Sequence, residues 1–176
     1  TPAMAASAEL AFKEASDSGS LLGGKYIKAM RGDSTCADSA AGTTAAQGLI
    51  DGGVVAIMGA DCSGVTTAIA DNAAIPNGVV MISPSATSPA LTSINDNGYF
   101  FRTAPSDARG GEILAKITKD RKVKSVAITY TNNDYGKGLA DVYESFVKSL
   151  GIKVTAVTAH EAVSYTHLTL PTIVRV

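Results

Sequence analysis

The sequence predicts an α/β protein built on a doubly wound parallel sheet, and three observations carry that prediction. Short apolar runs at Val54–Met58 and Val79–Ile82 have the pattern of strands covered on both faces, and strand-like segments follow at Val123–Tyr130 and Ile152–Val157. Between them lie longer stretches whose apolar residues keep the 3.6-residue helical period. The 176 residues are 45% hydrophobic and 18% charged with 17 glycines, a composition that buries a core and lets helices pack closely on strands. Parallel strands joined by helices imply right-handed crossovers.

The elements follow in order. Ala6, Leu10, Ala11 and Phe12 share a helical spacing, with Lys13 and Glu14 turned to water, so the chain opens in a helix. An α/β domain rarely starts with its helix, so a strand, and any signal peptide ahead of it, is expected before Thr1. Lys25–Met30 reads as a short strand, and Arg31-Gly32-Asp33 as the turn that ends it rather than an integrin-type signal. Asp38–Ile50 is Ala-rich and helical, closed by Asp51-Gly52-Gly53. Ser63 or Gly64 opens a helix running through Ala74, and the next strand breaks at Ser83-Pro84. Tyr99–Arg102 is a further short strand.

After Thr103-Ala104-Pro105-Ser106 the rhythm restarts, with Ser106 and Asp107 as caps of a helix reaching about Lys119. Asp134–Leu150 carries the strongest helical period, through Leu139, Val142, Tyr143, Phe146, Val147 and Leu150. Asn132-Asn133-Asp134 ahead of it reads as a cap, because it lacks the spaced acidic ligands of a calcium loop. The expected organisation is one lobe over residues 1–104, lacking its first strand, and the start of a second over 105–161. Residues 162–176 stand apart: from Ser164 on there is no Ala, Gly, Asp or Glu. They read either as an edge strand confined by Pro171 or as a non-native tail, an adapter translated as codons, and the second reading is preferred.

Composition excludes several function classes. Fifteen Lys+Arg against sixteen Asp+Glu leave a net charge of -1, so no nucleic-acid partner is expected. No apolar run reaches the roughly 18 residues of a membrane span. The two histidines, His160 and His167, both fall in the last seventeen residues, so no catalytic residue, metal site or cofactor is expected. Cys36 and Cys62 follow strand ends and read either as a disulfide or as two reduced thiols. Without a neighbouring histidine or a second Cys pair, they do not read as a zinc site.

Two polar segments occupy the carboxyl ends of strands, where open α/β sheets place ligands. In Gly59-Ala60-Asp61-Cys62-Ser63-Gly64-Val65-Thr66-Thr67 the spacing approaches a phosphate loop, but Val65 stands where a lysine must be. A serine elbow is excluded too, because glycine is absent at positions 61 and 65 and no base is near. A strand end leading into a helix start still suits a carboxylate, with the Ser63 hydroxyl and close approach at Gly64. In Ser83-Pro84-Ser85-Ala86-Thr87-Ser88-Pro89, the prolines hold backbone groups near Ser85 and Thr87 off the ladder, free for a ligand.

Cys62-Ser63-Gly64, Met81-Ile82-Ser83-Pro84-Ser85-Ala86-Thr87-Ser88-Pro89 and Asn133-Asp134-Tyr135-Gly136-Lys137-Gly138-Leu139 resemble the type 1 periplasmic binding proteins. The resemblance is strongest to the branched-chain amino acid (Leu/Ile/Val) substrate-binding proteins of ABC transporters and covers most of residues 1–161. It implies two α/β lobes closing over an amino acid, here with the first lobe nearly complete and the second truncated. It implies a disulfide between Cys36 and Cys62. Ser63 resembles the serine that binds the ligand α-carboxylate, Ser85 the position whose carbonyl accepts from the ligand ammonium, and Thr87 the threonine that bonds both. Ala86 lies between them in the same site, and Tyr135 resembles a second-lobe aromatic facing the ligand. Asp61 departs from the pattern, since a carboxylate beside an anion cradle opposes it unless paired or turned away. The function implied is a monomeric, extracytoplasmic (periplasmic) solute-binding protein that delivers an amino acid to an ABC permease in the membrane, with no catalytic step. The alternative is a cytoplasmic ligand-sensing domain of the same fold.

Overall fold

The computed structural model of the protein describes residues 2–161. They divide into two compact units: the chain up to Thr87 with Ser93–Pro105, and Ser88–Thr92 with the chain from Ser106 onward.

In the first unit, α1 spans Pro2–Asp17, α2 Ser39–Asp51 and α3 Ser63–Ile69, the last continued by a π-helical turn over Ala70–Ala74. The strands are β1 (Ala56–Met58), β2 (Val80–Ser83) and β3 (Phe100–Arg102), all parallel in the order β1-β2-β3. Ile57 pairs with Met81, and Met81 with Phe100, which places Met81 at the centre of the sheet and fully buried. Val65, Ile69, Ala70, Ala73 and Ala74 complete the core. The alanines let the helix approach closely, and a short smooth face is what an Ala-rich helix offers.

α2 begins where Asp38 accepts from the Ala41 amide at 2.9 Å, a side-chain cap for one orphan donor. Its buried face is Gly42 and Ala46. A Cβ at Gly42 would sit 2.6 Å from Val65 Cγ1 and 2.7 Å from the Ser34 carbonyl oxygen, so only glycine lets α2 and α3 meet at this distance.

Two sequence expectations fail here. Lys25–Met30 forms no strand: it joins no ladder, and Tyr26, Ile27 and Met30 are exposed. Its Ile27 amide donates instead to Ser16 Oγ at 2.9 Å. Alternation supplies the side-chain pattern of a strand, but the hydrogen bonds must come from a neighbour, and among the described residues β1 pairs with β2 alone. For the same reason Val54–Met58 is not buried on both faces. As an edge strand it shortens to three residues, buries only Ile57 and leaves Val55 88% exposed.

In the second unit, a 3₁₀ turn over Pro89–Thr92 is joined by α4 (Ala108–Asp120), β4 (Ser125–Thr131), α5 (Asp134–Ser149) and β5 (Lys153–His160). β4 and β5 are parallel, with an irregularity between Val126 and Ala127. β5 runs three residues past the expected Val157 because its ladder continues to the Thr131–His160 pair. The core is Ala115, Val147 and Ile152, flanked by Val126, Tyr143, Phe146, Leu150 and Val154. Tyr143 and Thr118 share a hydroxyl–hydroxyl bond of 2.9 Å across α4 and α5.

Asn133 caps α5 by accepting from the Gly136 amide at 2.8 Å. Asp107, expected to cap α4, makes no side-chain cap bond; Ser106 Oγ accepts from the Ala108 amide at 3.3 Å instead. On the exposed face of α4, Glu112 lies between Arg109 and Lys116, and these two hydrogen-bonded cations, Lys116 foremost, hold its carboxyl below the ordinary value. The reading of residues 162–176 as a non-native tail lies outside the described residues. No helix among those described is long and apolar enough to cross a membrane.

Candidate functional site

The loops that leave β1 and β2 are stitched together by hydroxyl groups. The ladder extends one step past β1 through the Gly59 amide, which donates to the Ile82 carbonyl at 2.9 Å. Beyond it the buried Ala60 carbonyl accepts from Ser83 Oγ at 2.6 Å and Thr66 Oγ1 at 3.2 Å. A buried carbonyl left without such partners would cost about 1–3 kcal/mol, so these bonds define the chain path here. Ser83 Oγ also accepts from the Ala86 amide at 3.0 Å, folding the Pro84–Ala86 segment into a turn over the strand end. One residue on, Ser85 Oγ donates to the Asp61 carbonyl at 2.9 Å and to Asp61 Oδ1 at 2.7 Å. Arg102 at the end of β3 donates to the Ala86 carbonyl at 3.3 Å.

Cys62 is the N-cap residue of α3 and supplies no side-chain cap bond. It is disulfide-bonded to Cys36, with Cα atoms 5.5 Å apart, which ties the segment leading into α2 to the start of α3. The bond forms although Lys25–Met30, the strand expected to deliver Cys36 to this edge, is not one. The two sulfurs and the Asp61 carboxylate lie within 4.8 Å of one another. Both sulfurs are in the disulfide, so the trio has no thiolate to offer a metal.

Five of the six ligand-binding residues expected from sequence lie on these two loops. Ser63 is the first residue of α3 and buried at 3% exposure, with its carbonyl accepting from Thr67 Oγ1 at 3.0 Å. Gly64 follows in the first helical turn; Ser85 and Thr87 are half-buried and Ala86 is buried. Tyr135 belongs to the other unit. It is the second residue of α5 in the second unit, 44% exposed, and lines a cavity of about 480 Å³ with residues of α4 and β4 and with His160.

The expectation that the prolines leave the backbone near Ser85 and Thr87 free needs correction at Ala86. Its amide and carbonyl are both used within the unit, by Ser83 and Arg102. Sequence reasoning also missed Ser83, whose buried hydroxyl is the node of the turn. A serine followed by proline at a strand end is the pattern that signals such a turn. The two loops contain no histidine or lysine and one charged residue, Asp61. They offer hydroxyls, amides and a carboxylate, a set suited to a small zwitterion and lacking a nucleophile–base pair.

The family described as receptor family ligand binding region matches residues 3–172. The Leu/Ile/Val-binding protein BraC3 of Rhizobium johnstonii is 34% identical over 146 residues, which is 82% of this chain and 39% of that protein. A leucine-, isoleucine-, valine-, threonine- and alanine-binding protein of Pseudomonas aeruginosa is 32% identical over 136 residues, 76% of this chain and 35% of that protein. Among solved structures, an ABC transporter substrate-binding protein of Desulfitobacterium hafniense in complex with Leu superposes with a TM-score of 0.68 at 31% identity. That match covers 89% of this chain and 46% of the other, so the chain spans less than half the length of these relatives. The chain therefore belongs to the family of receptor ligand-binding regions and has the type 1 periplasmic-binding-protein fold.

Proposed function

We propose that the chain is part of an extracytoplasmic solute-binding protein that takes an amino acid, of the branched-chain or a similar aliphatic kind, and delivers it to an ABC permease. One observation carries the reading: the loops after β1 and β2, which carry Ser63, Ser85 and Thr87, are bonded to one another through hydroxyl groups at the strand ends. In this reading residues 1–104 are the ligand-binding lobe and 105–161 the start of a second. Ser63 and the first turn of α3 take the ligand carboxylate. The Ser85 carbonyl takes the ammonium, Thr87 bonds both ends of the amino-acid group, Gly64 permits close approach with Ala86 in the same site, and Tyr135 is the second lobe's contribution. The protein acts as a monomer and has no catalytic step; the ligand biases a conformational equilibrium that the permease reads.

The names of the relatives support an amino acid as ligand, since they bind Leu, Ile and Val, and one is seen with Leu. The Cys36–Cys62 disulfide supports an oxidising compartment over the cytoplasmic sensor alternative. The test is calorimetric titration of the full-length protein with the twenty L-amino acids, beside Ser63→Ala and Thr87→Ala. Each lost bond to the charged ligand is expected to cost about 1.5–3 kcal/mol. Unchanged affinity in both variants would refute the assignment.

A further inference from the structure

The disulfide reaches the candidate site through one residue. Cys62 is the N-cap of α3, and Ser63 follows it as the first helical residue. The Cys62 carbonyl accepts the first helical bond, from the Thr66 amide at 2.9 Å, but its side chain makes no cap bond. Where a serine or aspartate would order the helix start by hydrogen bonding, α3 carries a covalent link to Cys36 instead. The placing of Ser63 then depends on what holds the far end of that link.

The far end is well held. Beside Cys36, the Thr35 amide donates to Asp33 Oδ1 at 2.9 Å and its hydroxyl donates to the Asp38 carbonyl at 2.8 Å. The Asp38 amide donates back to that hydroxyl at 3.3 Å, and Asp38 caps α2 through the Ala41 amide. Cys36 therefore stands on a hydrogen-bonded segment built onto the start of α2. The two helices also meet at Gly42, where a Cβ would lie 2.6 Å from Val65 Cγ1. One packing contact sets how near two helices lie but lets either roll about it. The second tie, at Cys62, removes the roll, and the roll is what aims Ser63. A binding group has to be held within about 0.5 Å of its place to act, so the tie bears on function. Cys36 is exposed and Cys62 half-buried, which opens the bond to a thiol reagent from the Cys36 side.

We infer that the Cys36–Cys62 disulfide is a positioning element of the ligand site that aims Ser63, so that opening it lowers ligand affinity in a protein that stays folded. The inference rests on the amino-acid reading given above, in which Ser63 takes the ligand carboxylate. Opening is a two-electron reduction by a dithiol. Its two hydrogens pass to the sulfurs of Cys36 and Cys62, the S–S bond breaks, and the reagent leaves as its own disulfide. Losing one loop closure costs less than the stability of an ordinary domain, so the helices remain while their tie is gone.

The experiment titrates the full-length protein with L-leucine by calorimetry at room temperature, oxidised and after dithiothreitol, with far-UV circular dichroism on the same samples. Reduction is expected to leave the spectrum unchanged and to weaken leucine about tenfold or more, the range of one charge-assisted hydrogen bond. Cys36→Ala, which removes the link alone, should show the weak affinity without reductant and no further change with it. In Ser63→Ala the same reduction should weaken leucine by about threefold or less, because the hydroxyl it misplaces is gone. Thr87→Ala, on the other loop, should keep the full factor. Unchanged leucine affinity in the folded, reduced protein would make the disulfide a staple of the fold alone and overturn the inference. Unfolding on reduction would overturn it too, as would equal factors in Ser63→Ala and Thr87→Ala. Each of these results leaves the amino-acid reading standing. An oxidised protein that does not bind L-leucine overturns the inference together with the reading it rests on.

Discussion

Two adjacent glycines in α4 allow one substitution to be read twice. A Cβ built at Gly110 meets nothing within 4 Å, whereas one at Gly111 lies 2.6 Å from Val142 Cγ1, 3.2 Å from Val142 Cβ and 3.3 Å from the Tyr143 amide nitrogen. Replacing glycine by alanine inside a helix gains about 1 kcal/mol through propensity, and that gain is nearly the same for neighbouring positions. Gly110→Ala should therefore stabilise the protein by about 0.5–1 kcal/mol. Gly111→Ala receives the same gain and adds the cost of forcing α4 away from α5, about 1–3 kcal/mol for an overpacked contact. The propensity part cancels in the comparison, so the two variants should differ by about 1–3 kcal/mol, with Gly110→Ala the more stable. Urea unfolding followed by far-UV circular dichroism measures the difference from the transition midpoints at constant slope. Val142→Ala, introduced into Gly111→Ala, should recover part of the loss, because it removes the nearest clashing methyl. A separation below about 0.5 kcal/mol between the single variants would refute the close approach of α4 and α5 at this point.

Further expectations concern charge, cross-link and caps. Glu112 has its carboxyl held below the ordinary 4.5 by hydrogen bonds from Lys116 and Arg109, so its contribution is complete above pH 4.5 and is lost as pH falls through the lowered value. Glu112→Gln should accordingly flatten the acid limb of the stability–pH curve measured by urea unfolding; an unaltered limb would contradict the pairing. The disulfide joins residues 26 positions apart, and losing it through Cys36→Ser with Cys62→Ser should cost about 3.5 kcal/mol by loop entropy. Equal thermal midpoints for this variant and the oxidised wild type would contradict that. Asn133→Ala removes the acceptor of the Gly136 amide and should cost about 1 kcal/mol, with Asn133→Asp restoring it in the same unfolding assay.

What could be read from the sequence was what residues decide with near neighbours. The α5 period through Leu139, Val147 and Leu150, the Asn133 cap and the glycine stop after α2 are local signals, and the structure keeps them. The apolar run at β2 marks the centre of a sheet because Met81 is covered from both sides. The same pattern misled at Val54–Met58 and Lys25–Met30, since periodicity records side-chain preference and not which strand lies alongside. The candidate site divides similarly. Small polar residues at two strand ends were visible, and Asp61 stood out as a misplaced charge. The residue that resolves it, Ser85, is 24 positions away, and Ser83 reaches Ala60 across 23. No spacing rule connects residues so far apart; only the parallel register of β1 and β2 does.

Among the described residues β1 is an edge strand, which has a consequence for handling this chain in concentrated solution. Ala56–Met58 presents a row of main-chain donors and acceptors on the side away from β2, with Val55 88% and Met58 44% exposed and no lysine or proline to discourage pairing. Such an edge is a template for a strand of another molecule. At three residues it grips weakly, so association should rise steeply with concentration rather than set in at once. A lysine at Val55 would place a charge on the exposed rim without touching the core, and light scattering of Val55→Lys against wild type would show whether this strand sets the limit on how concentrated the protein can be made.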